Sequence, residues 1–377
     1  MSCTRCEVVP PDREIESLIL STPHASTRDK VLTNTRCTGV TTVAMELGVK
    51  IDLGGHKWES MLATAATGMT EPELTDTYVA VIPRGASAWD QQKAMFQAKP
   101  IRDRMAQCAD SWLYNVLRQD RLTIHFQPLV RRSPQGTSVF GYECLMRGID
   151  DNGGLIPPFK MLTAARRLDL VFLLDQRCRI AAVRAAAAQL ASGTIPADTM
   201  FFINFLPTAI YNPEHCLQTT MAAVTAGSIR PEQICFEVVE SEDVGDRDHL
   251  VNILSFYRNR GFKVALDDVG AGFSTLSAMS DLMPNFIKLD RDLVAKGVTS
   301  PMEGKIVRDL ADTCRRHNIE TLAEGIETAA EFAFVNDCGI ELTQGYYHAR
   351  PAAATLNDPQ RSAVVTRAAA TSERRAA

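Results

Sequence analysis

Carboxylates, one amide and one lysine recur along this chain in a pattern that points to chemistry: Glu143, Asn204, Glu237, the adjacent pair Asp267-Asp268, Lys288 with Asp290, Glu324 and Gln344. The stretch Lys263-Val264-Ala265-Leu266-Asp267-Asp268-Val269-Gly270 shows the pattern most plainly. A β-favouring apolar run ends in two carboxylates, and a glycine-containing turn follows at once. Glu240 and Glu327 lie three residues beyond Glu237 and Glu324, and Arg147 lies four beyond Glu143. Oxygen donors without a recurring His or Cys suit hard cations such as Mg²⁺ or Mn²⁺ and disfavour zinc. Set against the single Lys288, this much formal negative charge implies more than one divalent ion. Two ions roughly 4 Å apart clamp a phosphodiester, polarise its phosphate and lower the pKa of a bridging water. Lys288 and Asp290 are two apart and face the same way if both lie on one strand, which lets Asp290 orient the ammonium. Base and electrostatic partner both remain open roles for Lys288, because carboxylates raise its pKa and metals lower it.

Such residues need a scaffold that brings strand ends together. From Leu122 onward strand-like runs alternate with segments of helical length: Leu122–Val130, Val139–Met146, Met200–Phe205, Ile234–Val239, Lys263–Leu266, Asn285–Leu289, Glu320–Ala323 and Leu342–Tyr347. These runs, with helical crossovers such as Arg179–Ala191 and Pro301–His317, predict an α/β fold, a (β/α)8 TIM-like barrel. The first two runs are joined by Arg131–Ser138, too short for a helix, so one strand is expected to run antiparallel. In a barrel, polar groups at the carboxyl ends of successive strands meet on one face.

The expected organisation is an N-terminal region of uncertain fold at 1–87, a helical connector at 88–121, the barrel at 122–352 and a disordered tail at 353–377. No candidate ligand precedes Gln127, so the N-terminal region reads as regulatory. Its one constellation is Cys3-x-x-Cys6 with Cys37, a metal or redox pattern only if a second half completes it. The remaining seven of the ten cysteines are scattered singly, as buried reduced thiols would be. The 377 residues carry 45% hydrophobic and 23% charged side chains, ordinary for a globular protein. A net charge of −5 argues against nucleic acid held by general electrostatics. Residues 1–25 lack the pattern of a secretory signal and no run is long enough for a membrane span, so the expected location is the cytoplasm.

Tyr142-Glu143-Cys144-Leu145-Met146-Arg147 resembles the signature of the EAL-domain cyclic di-GMP phosphodiesterases, with Cys where Ala is usual. Gln127-Pro128, Pro157-Pro158, Asn204, Glu237-Val238-Val239-Glu240, Asp267 to Ser274, Ile287 to Asp290, Glu324 to Glu327 and Gln344-Gly345-Tyr346 follow in the family's order, covering about Leu122 to Pro351. The resemblance implies hydrolysis of cyclic di-GMP to linear pGpG with two Mg²⁺ or Mn²⁺ ions. It also implies a homodimer. By motif, Glu143, Asn204, Glu237 and Asp267 bind one ion, and Asp267 with Asp268 and Glu324 the second. Lys288 and Glu324 help to activate water and Gln344 holds solvent. Gln127, Leu145 and Arg147 contact the dinucleotide, and Glu240 anchors the loop after Asp268. Val269, Ala271, Phe205-Leu206, Arg166 and Leu174-Asp175 depart from the commonest members, though no ligand is lost. The alternative is a receptor that binds the dinucleotide without turnover.

Overall fold

The computed structural model describes residues 14–134, 136–210, 212–239, 247–270, 279 and 281–353. They form two compact units: residues up to Gln119 together with Lys160–Leu170, and Asp120–Phe159 together with the chain from Val171 onward. Cys3, Cys6, Glu240, Ala271 and the tail from 354, all named in the sequence reading, lie outside the described residues.

The first unit begins with β1 (Ile15–Ser21), α1 (Ala25–Thr35), β2 (Thr41–Met45), β3 (Gly48–Asp52), α2 (Trp58–Ala65), α3 (Glu71–Asp76) and β4 (Tyr78–Pro83). The 88–118 stretch then folds as α4 (Ala88–Phe96), β5 (Lys99–Pro100), α5 (Ile101–Ala109) and α6 (Trp112–Arg118). The strands make an antiparallel sheet of order β2-β3-β1-β4-β5. Period-two alternation turns Leu18, Leu20, Val49, Ile51 and Val79 to one face, where they pack with Val31, Met61, Leu62 and Ile101. Residues 88–118 therefore belong to this unit: β5 pairs with β4, and Ile101 sits in the same core.

The second unit opens with a long hairpin, β6 (Leu122–Ser133) and β7 (Gly136–Ile149), followed by β8 (Leu155–Ile156). Helix α7 (Pro158–Leu168) comes next and lies mostly in the first unit, where Arg167 bridges to Asp110 at 2.9 Å. The chain continues through α8 (Val171–Ala191), β9 (Met200–Asn204), α9 (Pro213–Cys216), α10 (Gln218–Ala226), β10 (Ile234–Val239), α11 (Arg247–Arg258) and β11 (Lys263–Val269). It ends with β12 (Phe286–Leu289), α12 (Arg291–Thr299), α13 (Pro301–Arg316), β13 (Glu320–Ala323), α14 (Ala329–Asp337), β14 (Leu342–Thr343) and β15 (Ala352–Ala353). β7, β9, β10, β11, β12, β13 and β14 run parallel in that order, and antiparallel β6 closes the barrel between β14 and β7. Fold class and the antiparallel strand are as expected from the sequence. Among the described residues no helix is long and apolar enough to cross a membrane.

Two apolar layers follow from strand alternation. Outward residues such as Ile203, Phe236, Val264, Ile287 and Ala323 pack under the helices. Inward residues Leu129, Phe202, Cys235, Ala265, Phe286, Leu322 and Leu342 fill the barrel as a floor. Five of the lone cysteines, Cys144, Cys216, Cys235, Cys314 and Cys338, are buried free thiols, whereas Cys37 is exposed.

Candidate active site

The floor determines what stands above it. Two residues beyond Phe202, Cys235, Ala265, Phe286, Leu322 and Leu342 come Asn204, Glu237, Asp267, Lys288, Glu324 and Gln344. A period of two keeps the pairs of β9, β10, β11 and β12 on the inward side of their strands, and Glu324 and Gln344 stand one residue past β13 and β14. Gln127 occupies the same level on antiparallel β6, two residues before Leu129, and is paired in register with Glu143.

These side chains form one network. Lys288, 1% exposed, brings Nζ to 2.7 Å from Glu324 Oε1, 2.9 Å from Glu237 Oε1, 3.0 Å from Asp267 Oδ1 and 3.8 Å from Glu143 Oε1. The approach to Glu237 is an ion contact without hydrogen-bond directionality. Asn204 Nδ2 donates to Glu143 Oε1 and Glu237 Oε2, both at 3.0 Å. Gln344 Nε2 donates to Glu143 Oε2 at 2.6 Å and to Gln127 Oε1 at 3.2 Å, and Gln127 Nε2 reaches Ala349 O at 3.3 Å.

Adjacent residues on a regular strand point to opposite faces, so Asp267 and Asp268 need a local device to share a site. The β11–β12 register shifts between Leu266 and Val269, and Asp268 adopts φ 56°, a left-handed conformation that Asp tolerates better than most residues. One oxygen each from Asp267, Asp268 and Glu324 then lies within 4.8 Å of the others.

Electrostatics follow from crowding and burial. Burial holds the Glu237 carboxyl well above the usual range, with Lys288 opposing the rise. Burial likewise pushes Glu324 up to about 8 and raises Asp268, where the Asp267 charge adds to the effect. For Lys288 burial alone favours the neutral amine, but Asp267, Glu143, Glu237 and Glu324 outweigh it and hold the ammonium well above its ordinary value. The cluster thus carries more negative charge than Lys288 balances and retains protons to compensate. An all-oxygen donor set with that excess fits hard divalent cations. Gln344 Oε1 adds a buried acceptor with no protein partner among the described residues, placed for a water.

Other expected residues lie at the margin. Arg147 Nη1 donates to Met146 O at 2.7 Å, and Leu145 pairs in register with His125. Asp290 does not orient Lys288. β12 has ended at Leu289, so the period of two no longer applies, and Asp290 Oδ1 caps α12 by accepting from Asp292 N and Leu293 N. Glu327 pairs with Arg291 at 3.1 Å. Asp175, which sequence reasoning noted only as a departure, accepts a hydrogen bond from Leu206 N just beyond β9. Its signal was an Asp four residues before an Arg inside an alanine-rich helix.

The EAL domain model matches residues 110–351, nearly two thirds of the chain. The chain belongs to the EAL domain family. A relative from Escherichia coli K12, the probable cyclic di-GMP phosphodiesterase PdeG, is 29% identical over 242 residues, 63% of this chain and 46% of PdeG. The solved standalone versatile EAL protein of Vibrio cholerae O395, in its c-di-GMP bound form, is 36% identical, covering 62% of this chain and 93% of that one, with TM-score 0.54. The PaMucR phosphodiesterase in complex with c-di-GMP is 27% identical, covering 66% and 98%, with TM-score 0.58. Matches to the first curated relatives span between 29% and 59% of their lengths.

Proposed function

We propose that this protein hydrolyses cyclic di-GMP to linear pGpG with two Mg²⁺ or Mn²⁺ ions. The observation that carries the proposal is the convergence of Glu143, Asn204, Glu237, Asp267, Asp268 and Glu324 around one buried ammonium. Glu143, Asn204, Glu237 and Asp267 would hold one ion, and Asp267, Asp268 and Glu324 the other. When bound, the ions polarise the phosphodiester and lower the pKa of an attacking water.

The chain's own groups supply the rest. Lys288 Nζ, held between Glu237, Asp267 and Glu324, stands where it can serve as an electrostatic partner or as a base to the water. Gln344 Oε1 accepts from a water at the floor of the site. The Arg147 guanidinium takes a phosphate oxygen, with Gln127 and Leu145 beside the dinucleotide. The test is incubation of the purified chain with cyclic di-GMP and Mn²⁺, followed by chromatography. Appearance of pGpG that EDTA abolishes supports the proposal. Dinucleotide binding that is equal with and without metal, and no pGpG, makes the protein a receptor instead.

A homodimer belongs to the same reading. Gly270, with φ 112°, packs so tightly on Leu293 of α12 that an added Cβ would lie 2.4 Å from Leu293 Cδ2, coupling the Asp267-Asp268 strand end to that helix. The following α13 exposes Met302 and Ile306 four residues apart on one face. Light scattering of the wild type and of Met302→Glu/Ile306→Glu tests this; monomer in the wild type, with and without ligand, excludes it. The N-terminal unit is assigned a regulatory role, as every proposed ligand lies at or beyond Gln127.

A further inference from the structure

Asp175 and Arg179 lie one turn apart on α8 and are buried, with side chains 3% and 1% exposed. Arg179 Nε and Nη2 both reach Asp175 Oδ2 at 2.8 Å, and Arg179 Nη1 donates to Thr220 Oγ1 on α10 at 2.8 Å. Taking both charges out of water costs more than burying an apolar pair of similar volume would, so pairing alone is a weak reason to keep them. What apolar side chains cannot replace is Asp175 Oδ1. It accepts from Leu206 N at 2.9 Å, and its position is fixed because Oδ2 is held twice by Arg179.

Leu206 stands two residues beyond Asn204, where β9 ends. Phe205 N donates to Glu237 O at 3.2 Å. The two peptide N–H groups after Asn204 are therefore anchored in sequence, first to β10 and then to α8. Asn204 itself is exposed and spans Glu143 Oε1 and Glu237 Oε2 through one amide nitrogen. An exposed side chain at a strand end keeps one orientation only if the backbone beneath it is held.

We propose that Asp175, locked by Arg179 and Thr220, is a positioning residue that holds the chain beyond β9 so that the Asn204 amide faces the cation site. The inference rests on the reading of Asn204 as an ion ligand. It assigns a role to the Leu174-Asp175 departure from the common family pattern.

Two double variants of the full chain separate positioning from plain stability. Asp175→Leu/Arg179→Met removes the ion pair and the acceptor, whereas Asp175→Asn/Arg179→Met removes the ion pair but leaves an oxygen for Leu206 N. Mn²⁺ affinity of the substrate-free chain is read by calorimetry beside a thermal melt. The leucine variant is expected to bind Mn²⁺ about tenfold more weakly and the asparagine variant within about threefold of wild type. In an Asn204→Ala background the difference between them is expected to vanish. Equal affinities of the two doubles, whether both weakened or both unchanged, overturn the inference. If the doubles do not fold, Asp175→Glu keeps the charge pair but shifts the acceptor by a methylene; weaker Mn²⁺ binding then supports positioning, and unchanged binding overturns it. A wild-type chain that takes up no Mn²⁺ sinks the phosphodiesterase reading and this inference together, whereas a binding wild type with unaffected variants sinks the inference alone.

Discussion

Replacing Lys288 by Met removes the cation and keeps most of the side-chain volume, so its effect reports the charge balance of the site. Nζ lies within 3.0 Å of three carboxylates that are 19% exposed or less. Breaking a buried ion pair from one side costs roughly 3–5 kcal/mol when the remaining charges stay ionised. Two things relieve that cost, protons and divalent cations. Glu324 already binds its proton up to about 8 in the folded chain. A carboxylate with a raised folded pKa binds more protons folded than unfolded, so its contribution weakens stability as pH climbs from the usual carboxylate range through about 8. Loss of Lys288 raises the same carboxylates further and deepens that alkaline decline. In EDTA at pH 8.5 the variant is expected to melt roughly 6–20 °C below wild type. At pH 6 the gap is expected to shrink, and saturating Mn²⁺ is expected to recover most of it by binding the folded chain. Differential scanning fluorimetry over those four conditions measures it. A deficit that is the same at both pH values and indifferent to Mn²⁺ would refute the charge argument and leave Lys288 as packing.

Asp268→Asn keeps size and hydrogen-bonding capacity but removes one ligand charge, and is expected to lower turnover about a hundredfold, about 2.7 kcal/mol of barrier, with dinucleotide binding partly retained; steady-state kinetics beside equilibrium binding checks both halves. At pH 7 Mn²⁺ must displace the proton that Glu324 holds, so calorimetry in two buffers of different ionisation enthalpy is expected to show proton release, and less is expected from a Glu324→Gln chain. His348 is buried and neutral, its pKa lowered to about 4 by burial, with Nε2 bonded to Thr343 Oγ1. A base depressed in this way costs stability as pH falls from 6.5 through about 4, so His348→Phe is expected to flatten that acid limb in urea titrations at pH 4.5 and 7.

The barrel was legible because its inward positions obey a rule visible in one dimension. An apolar floor residue and a polar site residue stand two apart on a strand, as in Phe286 and Lys288 or Cys235 and Glu237. The same rule misled at Asp290, where it was carried one residue past the end of β12 into a helix cap. It also gave no account of how Asp267 and Asp268 share a site, because alternation forbids it and only a register shift with a left-handed Asp268 permits it. The N-terminal sheet was hard to read for a different reason. β2 is exposed or half-exposed along its whole length, and β5 has two residues, so neither has a buried face to write an apolar period. Cys108 on α5 packs on the core of that sheet. Asp175 marks the limit of pattern reading. An Asp–Arg spacing of four on a helix reads as a solvated surface pair, and nothing local distinguishes it from one that is buried. What does is the arrival of Thr220 and Leu206 from other elements, which turns a common helix pair into a fixed acceptor beside the strand that carries Asn204.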